Sequence, residues 1–141
     1  MKRVLFDSNV LLDVLGQRQP FFLTSAQALN CVNQNQVTGY ISGHAVTNIF
    51  YILRRQVGTS KARESISKLL EKLQVASVTE QVIHSALNSP MSDFEDTVTH
   101  EAAKAIGAEI IVTRNVSDFT ASSIAAVIPK DFLKKLSIES N

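Results

Sequence analysis

Apolar residues along the chain gather in short runs that alternate with segments of helical spacing. Val4-Leu5-Phe6 is one such run, and its length and position read as a short strand buried in a parallel sheet. It stops at Asp7, and from Asn9 to Leu15 the apolar residues resume at helical spacing. Gly16 to Pro20 is a break. Phe21 to Val32 then carries Phe22, Ala26, Leu29 and Val32 on one helical face, and Thr38 to Ser42 reads as a second strand. Val46, Ile49, Phe50, Leu53 and Val57 make the cleanest helical stripe, in a helix from His44 to Val57 that Gly58 ends. Tyr51 and Ile52 fall off this stripe, so the outer face is also partly apolar and predicts a second packing partner.

The alternation continues. Lys61 to Leu73 predicts a helix with Ile66, Leu69, Leu70 and Leu73 inward, Val75 to Val78 a weak third strand, and Glu80 to Leu87 a helix ended by Asn88-Ser89-Pro90. Ser92 opens another helix, with Phe94, Val98, Ala102 and Ala105 as its buried stripe and Gly107 as its stop. Glu109 to Thr113 and Ala125 to Ile128 read as the last strands, the second ending before Pro129. Strand and helix in this order predict an α/β domain built on a parallel sheet. No repeat, low-complexity tract or linker interrupts it, so residues 1–141 read as a single domain.

Composition narrows the class. The 141 residues are 45% hydrophobic and 19% charged, which suits a compact soluble domain and excludes disorder. The net charge of +1 gives no global field for nucleic acid, so such a partner must be held locally. Cys31 stands alone, which rules out an internal disulfide, and its place between Leu29 and Val32 suits a small buried hydrophobe. No apolar run approaches membrane-spanning length and no signal-peptide pattern opens the chain; the expectation is a cytoplasmic protein with no membrane partner.

The chemistry begins with Asp7, at the carboxyl end of the first strand, where open parallel sheets bind ligands. Alone, Asp7 reads best as a helix cap. Other acids return to the same edge, however. Ser92 and Glu95 fit a capping box, which makes Glu95 structural, and Asp93 suits a first helical turn. Asp96 is harder to dismiss, and Asp93, Asp96 and His100 share one helical face away from the apolar stripe. His44 and His84 have no partners at metal-ligand spacing and read as incidental. In the loop Thr113 to Phe119, Asn115 and Asp118 would be turn formers if they stood alone. Clustered carboxylates repel one another unless a divalent cation neutralises them, and oxygen donors without Cys or His point to Mg²⁺ or Mn²⁺ rather than zinc.

Asp7-Ser8-Asn9, Asp93-Phe94-Glu95-Asp96 and Thr113-Arg114-Asn115-Val116-Ser117-Asp118-Phe119, in this order and over almost the whole chain, resemble a PIN domain. The resemblance implies a three-layer α/β/α sandwich and an Mg²⁺- or Mn²⁺-dependent endoribonuclease. It further implies the virulence-associated C type, the toxin of a toxin–antitoxin pair, with RNA as substrate and a small antitoxin as partner. Matched by position, Asp7, Asp93, Asp96 and Asp118 become the catalytic acids, with Asp7, Asp96 and Asp93 on the metal. Asn9, Asn48, Thr113 and Asn115 become secondary polar positions of the site. Asn48 stands where the family keeps a Glu, which predicts weaker cation binding with Asp93 as the compensating acid. Arg114 is the nearest candidate for an RNA phosphate, with Arg54, Arg55 and Lys104 farther off. The apolar outer face of the His44–Val57 helix predicts a homodimer or an antitoxin contact.

Two rival readings remain in view, and a third falls away. Asn48 would suit a PIN-like module that binds RNA or protein without cutting, whereas the retained acids argue against it. An aspartyl-nucleophile phosphatase would need an acid where Asn9 stands. A dinucleotide-binding domain is excluded because no glycine-rich turn follows the first strand.

Overall fold

The computed structural model of the chain describes residues 2–120 and 122–140. Its centre is β1 (Lys2–Phe6), where Val4, Leu5 and Phe6 are all fully buried. Both faces of this strand are covered, which is why the residues form an unbroken apolar run rather than an alternation. β1 pairs in parallel with β2 (Val37–Ser42) on one side and β4 (Ile110–Val112) on the other, setting Val4 opposite both Gly39 and Ile110. β3 (Gln74–Ala76) and β5 (Ala125–Val127) complete a parallel sheet of order β3-β2-β1-β4-β5.

Helices form two further layers. One packs α1 (Ser8–Leu15), α2 (Phe22–Asn33), α3 (Gly43–Val57), α4 (Thr59–Lys72) and α7 (Pro129–Ser140) against Val4, Phe6, Ile41, Ile110 and Val112 of the sheet. The other packs α5 (Glu80–Leu87), α6 (Phe94–Ala105) and a 3₁₀ turn (Val116–Phe119) against Leu5, Tyr40 and Ile111. The expected α/β/α sandwich around a parallel sheet is what the chain forms. Gly39 marks the tightest approach: a Cβ there would lie 2.6 Å from the Leu73 side chain and 2.7 Å from that of Val32. Cys31 is buried in the first of these cores, as its neighbours suggested, and burial pushes its thiol pKa up.

Several local expectations give way. α7 begins at Pro129, which the sequence reading treated only as a stop; proline suits the first helical position, and Phe132 and Leu136 bury one face. Leu70 is partly exposed, because the inward line of α4 runs through Ile66 and Leu69 and Leu70 lies about 100° round from Leu69. Val57 stands exposed at the end of α3. Phe94 is 49% exposed and Ala105 is exposed too, so the buried side of α6 is Val98, Ala102 and Ala103. The expected capping box is absent: Asp93, not Ser92, caps α6, and Glu95 reaches elsewhere. No described helix is long and apolar enough to cross a membrane.

Candidate active site at the carboxyl edge of the sheet

Asp7 closes β1 and caps α1. Its backbone N–H donates to Val112 O at 2.9 Å, which extends the β1–β4 ladder and sets Asp7 beside Thr113. Each carboxylate oxygen is then held by a separate donor. Ser8 N–H donates to Oδ1 at 2.9 Å, and Thr113 Oγ1 donates to Oδ2 at 2.8 Å. Asn9 Nδ2 lies 3.4 Å from both Asp7 Oδ2 and Thr113 Oγ1, while Asn9 Oδ1 accepts from Arg114 N at 3.2 Å. Asn115 N–H donates to Thr113 Oγ1 at 3.0 Å. The first and third sequence motifs thus form one hydrogen-bonded unit, with Thr113 as the shared hinge.

Burial raises the pKa of Asp7, opposed by the hydrogen bonds from Thr113 and Ser8; the charge of Glu95 raises it further and His44 lowers it. Asp7 is therefore held rigidly but pays in solvation for its negative charge.

The second motif arrives on α6. Asp93 Oδ1 accepts from Asp96 N at 2.9 Å, which fixes the first turn and keeps the two acids adjacent. Asp96 is pushed up to about 7, first by burial and then by the charges of Asp93, Asp7, Asp118 and Glu95. Four carboxylates from three separated stretches thus act on one half-buried acid. Asp118, exposed on the 3₁₀ turn that Asn115 opens, is within electrostatic reach of it.

Two residues read from sequence as structural or incidental belong to this edge. Glu95 Oε1 accepts from Asn48 Nδ2 at 2.9 Å, so an acid meets the amide at the position where the resemblance implies a Glu. His44 lies near enough to Asp7 to favour its ionised form. Thr99 Oγ1 donates to Glu95 O at 3.1 Å and lies 3.3 Å from His44 Nε2. His44 Nδ1 is buried and without a hydrogen-bond partner among the described residues. His44 opening the helix after the second strand was the one signal for this role, and no sequence spacing links it to Asp7.

Two other expectations change place. His100 shares the helix of Asp96 but is buried, with Nδ1 2.7 Å from Glu101 and Nε2 accepting from Ser123 N at 3.3 Å. Arg114 does not extend freely from the edge: its Nε lies 2.7 Å from Oδ2 of the fully buried Asp13, and its guanidinium stacks 4.0 Å from the centre of the Phe21 ring. Arg18 approaches the other Asp13 oxygen at 3.7 Å. A lone acid inside an apolar helix was the available sign of such a pair. Arg54 is likewise engaged, 5.1 Å over the ring of Tyr51.

The donor set suits a hard divalent cation, being carboxylate oxygens whose charges bear on Asp96 and would be relieved by positive charge. Among the described residues, no three His, Cys, Asp or Glu side chains already stand close enough to hold an ion. The acids are gathered in electrostatic range and would have to draw in around it.

Comparison with known proteins follows the same lines. The sequence profile of the PIN domain family matches residues 3–117. Ribonuclease VapC1 of Aquifex aeolicus (strain VF5) is 22% identical over 139 residues, covering 95% of each chain. The structure of VapBC2 from Rickettsia felis, bound to a DNA fragment from its promoter, overlays with a TM-score of 0.67 at 13% identity. That overlay covers 89% of this chain and 96% of the other. Mycobacterium tuberculosis VapC20, a toxin that cleaves the sarcin-ricin loop, overlays at 0.67 and 13% over 84% and 94%.

Proposed function

The chain belongs to the PIN domain family, and from that premise we propose that it is a divalent-cation-dependent endoribonuclease and the toxin of a toxin–antitoxin pair. The observation that carries this reading is that Asp7, Asp93, Glu95 and Asp118, from three separate stretches of the chain, all come within electrostatic range of the half-buried Asp96. The name of the Aquifex relative supports the reaction class, and a toxin–antitoxin complex from Klebsiella pneumoniae among the structural neighbours supports the partner. RNA is the substrate in this reading, and the cytoplasm its setting.

The reaction is hydrolysis of a phosphodiester bond by water. Asp7, Asp96 and Asp93 would hold an Mg²⁺ or Mn²⁺ ion, which when bound supplies Lewis acidity toward phosphate and a more acidic water. The protein's own part is positioning. Ser8 N–H and Thr113 Oγ1 hold both oxygens of Asp7, so its carboxylate is oriented before substrate arrives. Asp93 ties down the turn that presents Asp96. Asp118, exposed and outside these bonds, is free to orient the attacking water. Asn9 and Thr113 bind the 113–115 loop to the same edge, keeping Asn115 and Asp118 in register with Asp7.

The outer face of α3 is assigned to self-association or the antitoxin. Tyr51 is 51% exposed there, flanked edge-on by Phe50 and capped by Arg54. The test of function is cleavage of single-stranded RNA with Mg²⁺ or Mn²⁺ by the natural protein and by Asp7→Asn. Cleavage should need the ion and vanish in the variant while the thermal transition persists. Activity that survives EDTA, or survives Asp7→Asn, sinks this mechanism.

A further inference from the structure

A cavity of about 310 Å³ opens between the start of α2 and the start of α7 and includes Arg114, the residue after Thr113. Phe21, Thr24, Ser25, Arg114, Pro129 and Lys130 are among the residues that line it. We propose that this cavity is a nucleotide subsite for the RNA strand, taking a backbone phosphate on Arg114 and Lys130 and a base against Phe21. The proposal rests on the ribonuclease reading for its ligand, but it concerns binding and not cleavage.

Four observations carry it. Arg114 is anchored through Nε by Asp13 and by its stack on Phe21, so the fork is held rigid while its two terminal nitrogens have no protein partner among the described residues. Ser25 is fully buried, yet its hydroxyl has no hydrogen-bond partner; it lines the cavity and lacks only an acceptor. α7 begins here with Ile128 before it, a residue that offers no capping side chain, and its first-turn N–H groups face no described acceptor apart from Ile128 O, which takes Phe132 N–H. Phe21 remains 38% exposed although Arg114 covers one side of its ring. Asp13 and the exposed Asp131 carry negative charge nearby, but Arg114, Arg18 and Lys130 outweigh them. An anion is therefore the ligand that the cavity's charge and its unfilled donors select.

The route from the acids is short in covalent terms. Arg114 follows Thr113, which bonds Asp7, and its own N–H bonds Asn9. Arginine on phosphate and an aromatic ring under a base are the usual means of holding a single strand without reading its sequence.

The test separates binding from cleavage. Binding of a short 2′-O-methyl RNA oligonucleotide, which resists hydrolysis, is followed by anisotropy in EDTA on an Asp7→Asn background. Phe21→Leu should weaken binding by about 5- to 100-fold with the salt dependence unchanged, as expected for a lost stack. Lys130→Gln should flatten the log–log salt slope by about 0.7, one phosphate contact's worth on a single strand. An oligonucleotide made of abasic units should not sense Phe21→Leu. Lys130 is exposed, so its variant remains informative even if Phe21→Leu disturbs α2. Equal binding by both variants and their parent, or no RNA binding by the parent, overturns the subsite. If the natural protein cuts RNA while both variants bind like the parent, the subsite falls and the nuclease stands. If binding shows these dependences but neither ion permits cutting, the nuclease falls and the subsite stands.

Discussion

Replacing Asp96 with Asn should make the metal-free protein more stable while abolishing cleavage. Asp96 is held near 7 against an ordinary 3.8, chiefly by burial and then by Asp93, Asp7, Asp118 and Glu95. A raised folded pKa means that the folded state binds the proton more tightly than the unfolded chain. The penalty for ionising Asp96 is therefore absent below about pH 4, grows between about 4 and 7, and is complete above 7. At 1.36 kcal/mol per pKa unit, the shift corresponds to at most about 4 kcal/mol. Asp96 is only half-buried, and solvent screening brings the expected gain down to about 1–2 kcal/mol. For a domain of this size that is a rise of roughly 3–8 °C in Tm.

The assay is thermal unfolding of the natural protein and Asp96→Asn in EDTA, from pH 4 to pH 8. The two curves should meet near pH 4 and diverge as pH rises. Addition of Mg²⁺ or Mn²⁺ should then stabilise the natural protein more than the variant, because the ion offsets the same repulsion. An Asn variant that is no more stable at pH 8 than its parent would refute the account of Asp96 as a charge held at a cost in stability for function.

Other outcomes follow from the same geometry. Asn caps helices about as well as Asp, so Asp93→Asn should leave α6 intact while removing one of the charges that raise the pKa of Asp96; a pH dependence of unfolding in EDTA that does not change refutes this, and silence in cation affinity removes Asp93 from the metal site. Asn48→Glu would set a second carboxylate against Glu95, 2.9 Å from the present amide nitrogen; it should lower apo stability by about 1 kcal/mol and restore part of the cation affinity lost in Asp93→Asn, as read by melting with and without Mg²⁺. Arg114→Met would leave Asp13 buried with only the more distant Arg18, for a loss of about 2–4 kcal/mol in urea unfolding that Asp13→Asn should largely recover; additive losses would disprove the pair. Tyr51→Glu should disrupt any self-association through α3, and light scattering that finds a monomer before and after the change rules this face out for a homodimer.

The alternation of strands and helices on a parallel sheet was legible in the sequence because it rests on local periodicity, whereas the two helical layers were implied by the resemblance to the PIN domain. A triplet such as Val4-Leu5-Phe6 can be buried on both sides only at the centre of a covered sheet, and Asp7 at its end therefore lies on the ligand-binding edge. The three polar motifs were visible for the same reason: each sits at an element boundary, which short-range pattern marks. What the tertiary structure decided was which of their neighbours face one another. Glu95 satisfies a capping pattern in sequence, but Asp93 is nearer the turn's free N–H, and Glu95 turns to an amide 47 residues away. His44 acquires a role only because α3 and α6 converge, and Arg114 loses its freedom only because Asp13 is buried beneath it. Charge and burial at a point are sums over every residue that comes near it, whatever its place in the chain, whereas periodicity is a property of the few residues on either side. That is why the elements and their edges could be read from the string of residues, and the partners of each side chain could not.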